Sequence, residues 1–168
     1  MRPRGHRQRR LSARLLGGDL LPPTDTSESG LEALIVKSLV EEAGYLRGDP
    51  ADYDRDHAVD LRQLLTFLEE TQPEAFERLN LAHEGHQRLQ FLSRLQGEIA
   101  KRGIVDVLRK GIKHGPVSVD TFYGAPSPGN EAAAARYRQN RFSVTRQLRY
   151  SKDQTRLALD LALFINGL

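Results

Sequence analysis

The chain contains no cysteine. This excludes a disulfide framework and any thiolate metal site, and it agrees with a reducing compartment such as cytoplasm. No apolar run approaches the roughly 20 residues needed to cross a bilayer as a helix. Leu15-Leu16-Gly-Gly-Asp-Leu-Leu21 is interrupted by glycine and aspartate, so the unbroken apolar stretch of a secretory signal is also missing. There is no Gly-x-x-x-x-Gly-Lys-[Ser/Thr], which excludes nucleotide binding through a P-loop. His83-Glu84-Gly85-His86 spaces its histidines by three where a zinc-protease helix needs four. Asp52-x-Asp54-x-Asp56 begins like a calcium loop. It fails at His57, where the loop turn needs glycine, and at Gln63, where a bidentate glutamate belongs.

The sequence is long enough, at 168 residues, for one domain with its own core. Its net charge of +3 conceals an uneven distribution. Residues 1–20 hold six arginines and one acid, so the remainder is slightly acidic. Residues 1–26 have no periodic apolar face and read as a disordered basic extension, with residues 27–168 as the folded part. Within the folded part, residues 131–156 carry Arg136, Arg138, Arg141, Arg146, Arg149, Lys152 and Arg156 against Glu131 and Asp153. Such a segment suits a phosphodiester substrate, or it is a solvated surface neutralised by acids elsewhere.

Periodicity predicts an amphipathic first helix from about Ser27 to Gly44, with Leu31, Leu34, Ile35, Leu39 and Val40 on its inner face and Glu32 in its first turns. Further helices are predicted over 56–70, 73–79 and 83–102, the last with Leu89, Phe91, Leu92, Leu95 and Ile99 as its apolar stripe and Gly103 as its stop. Residues 104–108 and 117–122 read as short strands, with Arg109 and Lys110 in the connection between them. Residues 131–139 read as a short alanine-rich helix.

The last thirty residues carry the most information. Residues 142–150 and 157–165 both alternate at period two, the mark of strands. Phe142, Val144, Leu148 and Tyr150 share a face with Arg146. The second run presents Leu157, Leu159, Leu161, Leu163 and Ile165 as one apolar face. An antiparallel hairpin that pairs Tyr150 with Leu157 puts Gln147 opposite Asp160 and Thr145 opposite Ala162, with the apolar faces together. Asp160 then sits mid-strand between two alanines, with room above its carboxylate for a metal ion or a phosphate. A mid-strand aspartate is either a compensated structural residue or a ligand. Asn166-Gly167 is a strong two-residue hairpin signal, because both central positions of a type I′ turn need positive φ. A third strand is expected after it, so the chain reads as the front part of something longer.

Asn140-x-Phe142, Val144-Thr-Arg-Gln-Leu148, Tyr150-Ser151 and Asp160-Leu-Ala-Leu-Phe-Ile-Asn-Gly167 resemble the N-terminal nuclease region of the R (restriction and motor) subunit of type I restriction enzymes. Gly103 to Gly111, Tyr45, Asp49-Pro50, Tyr53-Asp54 and Thr71-Gln72-Pro73 add to the resemblance, which extends over residues 27–168.

The resemblance implies an α/β (α+β) fold of the restriction-endonuclease type, a helical N-terminal half on a mixed sheet that is incomplete at its C-terminal side. It also implies a nuclease of the PD-(D/E)xK kind. In that pattern Asp160 is a catalytic metal ligand, and the Glu-x-Lys strand follows beyond Leu168. The second metal carboxylate is that of the Glu-x-Lys strand, and Glu32, on the first helix, is a candidate for a further one, although a helix N-terminus favours glutamate for its dipole alone. Gln147, Arg146, Arg149 and Arg109 are candidates for binding the DNA substrate. The expected activity is Mg²⁺-dependent cleavage of double-stranded DNA in a bacterial, cytoplasmic complex with modification and specificity subunits, with an ATP-driven motor downstream. The 168-residue chain alone is expected to be inactive. The alternative is a non-catalytic DNA-binding or subunit-docking module, or an inactive truncated product.

Overall fold

A computed structural model describes residues 28–154 and 156–168. The expected basic extension lies outside the described residues. The first element is helix α1 (Glu28–Glu41), closed by Gly44 at φ 73°. After it come a two-residue strand β1 (Leu46–Arg47), a 3-10 turn (Pro50–Asp52) and a small antiparallel hairpin of β2 (Tyr53–Asp54) and β3 (Val59–Asp60). Helices α2 (Leu61–Thr71), α3 (Pro73–Arg78), α4 (His86–Arg102) and α5 (Ile104–Lys110) form the middle of the chain. A second hairpin of β4 (Ile112–His114) and β5 (Val117–Val119), helix α6 (Glu131–Tyr137) and strands β6 (Phe142–Leu148) and β7 (Leu159–Ile165) complete it.

The main core lies among the helices. Leu64, Phe67 and Leu68 of α2, Phe76 of α3, Phe91, Leu92 and Leu95 of α4 and Val107 of α5 are buried together with Ile112, Val117 and Val119 of the second hairpin. Asp60 starts α2, its Oδ1 accepting the Gln63 N–H at 3.1 Å, and Pro73 occupies the first turn of α3, where no N–H is needed. Arg88, buried on the inner side of α4, donates to the carbonyls of Leu81 and Ala82 and so ties the α3–α4 connection to the helix.

Residues 104–108 are a helix, although their β-branched residues predict a strand. Gly103, at φ 81°, turns the chain between α4 and α5. Asp106 bridges Arg102 and Lys110 at i ± 4, a spacing that supports helix and not strand. Only Val107 of that segment is fully buried, while Val105 is exposed. Arg109 therefore lies on an exposed helix, and the tip of the hairpin is Gly115-Pro116. The predicted strand over 117–122 ends at Val119, and α4 begins at His86, three residues later than its periodicity suggests. Leu89, assigned to the core stripe, is exposed.

The sheet that carries the C-terminal segments is mixed, in the order β1-β6-β7, with β1 parallel to β6 and β7 antiparallel to it. The register is the one expected: Thr145 lies opposite Ala162, Arg146 opposite Leu161 and Leu148 opposite Leu159. The two strands are shorter than their alternating runs, so Tyr150 and Leu157 fall in the connection.

Burial across this hairpin differs from the expectation. Helix α1 packs on β6, and Val36 of the helix and Val144 and Leu148 of the strand are buried. Leu157, Leu159 and Leu163 remain exposed, and so do Leu31, Leu34 and Ile35 of α1, which periodicity places on the inner face of that helix. The opposite face is the better covered one, where Ser143, Thr145 and Phe164 are buried. There the 3-10 turn packs on β6, and the ring of Tyr53 meets that of Phe164 at 6.0 Å.

Asn166 and Gly167 join the sheet to the helical core. Both have positive φ, 53° and 84°, and Ile165 and Leu168 exchange backbone hydrogen bonds across them, as the two-residue turn requires. The fully buried Asn166 side chain accepts from the Arg141 N–H at 2.6 Å and donates to Thr121 O and Asn140 Oδ1. Gly167 O accepts from Asp60 N, and a Cβ on Gly167 would collide with the backbone of Asp60 and Leu64 at the start of α2.

Two measurements follow. Asn166→Ala leaves the part-buried Arg141 N–H and the buried Thr121 carbonyl without a partner, at about 1–3 kcal/mol each, so a loss of about 2 kcal/mol or more is expected in urea unfolding. The second concerns Asp54. Partial burial opposes its ionisation, but donation from the His57 ring at 2.7 Å and from the Asp56 and His57 N–H groups outweighs this and holds the carboxyl below its usual range. A depressed carboxyl stabilises the fold above the unfolded pKa, and this is lost as pH falls through the folded value. Asp54→Asn is therefore expected to be less stable than the wild type at pH 7. The gap should close as pH falls from about 5 to below about 3, which unfolding midpoints across that range measure.

Candidate functional site

Asp160 lies on β7, exposed, at the Leu159 end of the strand. Gln147 stands opposite it on β6. Its backbone is left-handed, φ 50°, in the middle of a strand. Pairing resumes without a slip on either side, at Arg146↔Leu161 and Leu148↔Leu159. The kink therefore redirects one residue without inserting one.

Glu32 reaches the same place from α1. Its carboxylate is almost fully buried against β6 and accepts from Arg146 Nη2 at 3.1 Å. Gln147 Nε2 is 3.2 Å and 3.4 Å from the two Glu32 oxygens and 3.4 Å from Asp160 Oδ1. Two carboxylates from residues 128 positions apart in the chain thus converge on one amide nitrogen. Their oxygens are no further apart than the sum of two such contacts.

The donor chemistry fits a hard divalent cation in part. Carboxylate oxygens are the ligands Mg²⁺ prefers, and Mg²⁺ keeps several waters, so two carboxylates form a meaningful share of its shell. Among the described residues no group of three or more His, Cys, Asp or Glu side chains converges. Arg146 Nε is buried without a hydrogen-bond partner, so the cationic group beside Glu32 is held by that one ion pair.

The structure thus gathers Asp160, Glu32, Gln147 and Arg146. Arg149 follows directly after β6, with its side chain exposed and its carbonyl accepting from Arg55 Nε at 2.9 Å. Arg109 is exposed on α5, which packs against α4.

Much of the basic stretch 131–156 is neutralised within the fold. Arg136 pairs with Asp120 and stacks over Tyr123, Arg141 pairs with Glu70, and Lys152 pairs with Asp56. Arg138, Arg149 and Arg156 have no ion pair among the described residues. The sequence gives no sign of the Gln147 kink, because glutamine is not a residue that favours positive φ. The one available signal is its register position opposite Asp160.

No helix among the described residues is long and apolar enough to cross a membrane. Neither a curated protein nor a solved structure matches the chain. A family model described as type I restriction enzyme R protein N terminus matches residues 25–168. It spans the helical core, the Asn166-Gly167 turn and all of Asp160, Glu32, Gln147 and Arg146, and the chain belongs to that family.

Proposed function

We propose that this chain contributes the nuclease centre of a type I restriction enzyme R subunit, and that Asp160 and Glu32 are its metal-binding carboxylates. The observation that carries this reading is the convergence of Glu32 and Asp160 on the Gln147 amide. A buried carboxylate, Glu32, and an exposed one, Asp160, meet there at a single side-chain amide. A Mg²⁺ ion held there supplies Lewis-acid polarisation of a phosphate and a water of lowered pKa.

The chain's own groups have distinct tasks. Asp160, exposed on its strand, faces the substrate side. Glu32 is fixed from behind by Arg146, so its carboxylate is oriented before substrate arrives. Arg149, unpaired and next to the centre in sequence, contacts the DNA backbone. Arg109 lies on another element and makes a separate backbone contact. The reaction is hydrolysis of a phosphodiester of double-stranded DNA. The ATP-driven motor, the modification and specificity subunits and a bacterial cytoplasmic setting belong to this proposal through the family.

A subunit-docking role is the second reading, favoured by the exposed Leu31, Leu34, Ile35, Leu157, Leu159 and Leu163. The two are separated by one substitution in the complete R subunit. Asp160→Ala is expected to reduce Mg²⁺-dependent DNA cleavage to background while ATP hydrolysis and assembly with the other subunits persist. Cleavage at the wild-type rate would refute the nuclease reading, and loss of assembly with cleavage would favour docking.

A further inference from the structure

Gln147 holds a conformation that sheet pairing does not explain. A non-glycine residue at positive φ inside a strand is strained, and such strain persists where surrounding groups over-determine it. Here the pairing is regular on both sides, so the strand itself does not require the kink. Its effect is to place one side-chain amide between α1 and β7, within 3.2–3.4 Å of three carboxylate oxygens. These contacts are longer than the 2.9–3.0 Å typical of N–H···O bonds, so the amide lies between both acids without a tight bond to either.

We infer that Gln147 is the third oxygen ligand of the site: with a divalent cation between Glu32 and Asp160, its amide presents Oε1 where Nε2 now stands. The inference rests on the reading of the two carboxylates as a cation site. The terminal torsion of glutamine is broad and roughly two-fold, so exchanging Nε2 for Oε1 needs no backbone movement. An amide oxygen is a hard, neutral ligand of the kind that Mg²⁺ and Mn²⁺ accept. It adds a ligand without adding a third negative charge beside Glu32 and Asp160. In the cation's absence the N–H groups of the same amide offset the repulsion between Glu32 and Asp160. One side chain thus serves both states, which accounts for a strained backbone at a glutamine.

The test is Mn²⁺ binding to the full 168-residue chain, read from the electron paramagnetic resonance of free Mn²⁺, with unfolding midpoints recorded alongside. Asp160→Asn should abolish binding at the site. Gln147→Met, which keeps the length and removes the oxygen, should weaken binding by about tenfold or more, as loss of a metal-site partner commonly does. Gln147→Glu, which keeps an oxygen at the same reach, should bind at least as tightly as the wild type. If Gln147→Met binds like the wild type while Asp160→Asn does not, the amide is a spacer and this inference fails, with the carboxylate pair intact. If Asp160→Asn itself binds like the wild type, the carboxylate reading fails first. Should Gln147→Met unfold, Gln147→Glu alone decides: weaker binding than the wild type contradicts an oxygen ligand at this position.

Discussion

The buried hydrogen bonds of Asn166 hold the two halves of the molecule in one arrangement. Its side chain joins the end of β7 to the start of β6 through Arg141, and to the helical core through Thr121 and Asn140. Asn140 in turn accepts from Tyr123 N and donates to the carbonyls of Tyr123 and Tyr137. In a buried setting each of these groups has no water to fall back on, so the set is satisfied together or not at all. Gly167 extends the lock by bringing the chain against the first turn of α2, closer than any side chain allows. The result is a β6–β7 register fixed at one end by an anchor that belongs to the core and not to the sheet.

That register has a consequence at the other end of the hairpin. Strand side chains alternate strictly, so a slip of one residue would send Asp160 to the face of its leucine neighbours. With the register held, Asp160 lies opposite Gln147, and α1, crossing β6, delivers Glu32 to the same point. Gln147 donates toward both acids, and Arg146 pairs with Glu32. The Asp160 carboxylate is exposed and the Glu32 carboxylate is buried between α1 and β6.

Much of this arrangement is legible in the sequence, for identifiable reasons. The alternating runs after Asn140, the loop between them and the Asn-Gly pair define the hairpin and its register because strand period and turn geometry leave few options. The first helix is equally legible but its buried side is not: Glu32 and Val36 are covered, while Leu31, Leu34 and Ile35, read as its inner face, are exposed. Residues 104–108 are not, because β-branched propensity there is overridden by the Arg102–Asp106–Lys110 ion pairs and a glycine at each end. Nor is burial of the β7 leucines, since alternation reports that a face is apolar and says nothing of whether a helix lies over it. The Gln147 kink leaves no trace in composition or period. The basic stretch suits either a phosphodiester or a surface neutralised by acids elsewhere, and Arg136, Arg141 and Lys152 follow the second, paired with Asp120, Glu70 and Asp56. These partners are distant in sequence and visible only once folded.

The central claim is that Glu32 and Asp160 are brought together by the fold. Because the chain has no cysteine of its own, the doubly substituted E32C/D160C protein offers a clean measurement with a short-span bifunctional thiol reagent. Near-complete intramolecular cross-linking under native conditions, lost in denaturing urea and absent from each single variant, is the predicted result. Cross-linking no more efficient in the native protein than in the unfolded chain would contradict the account.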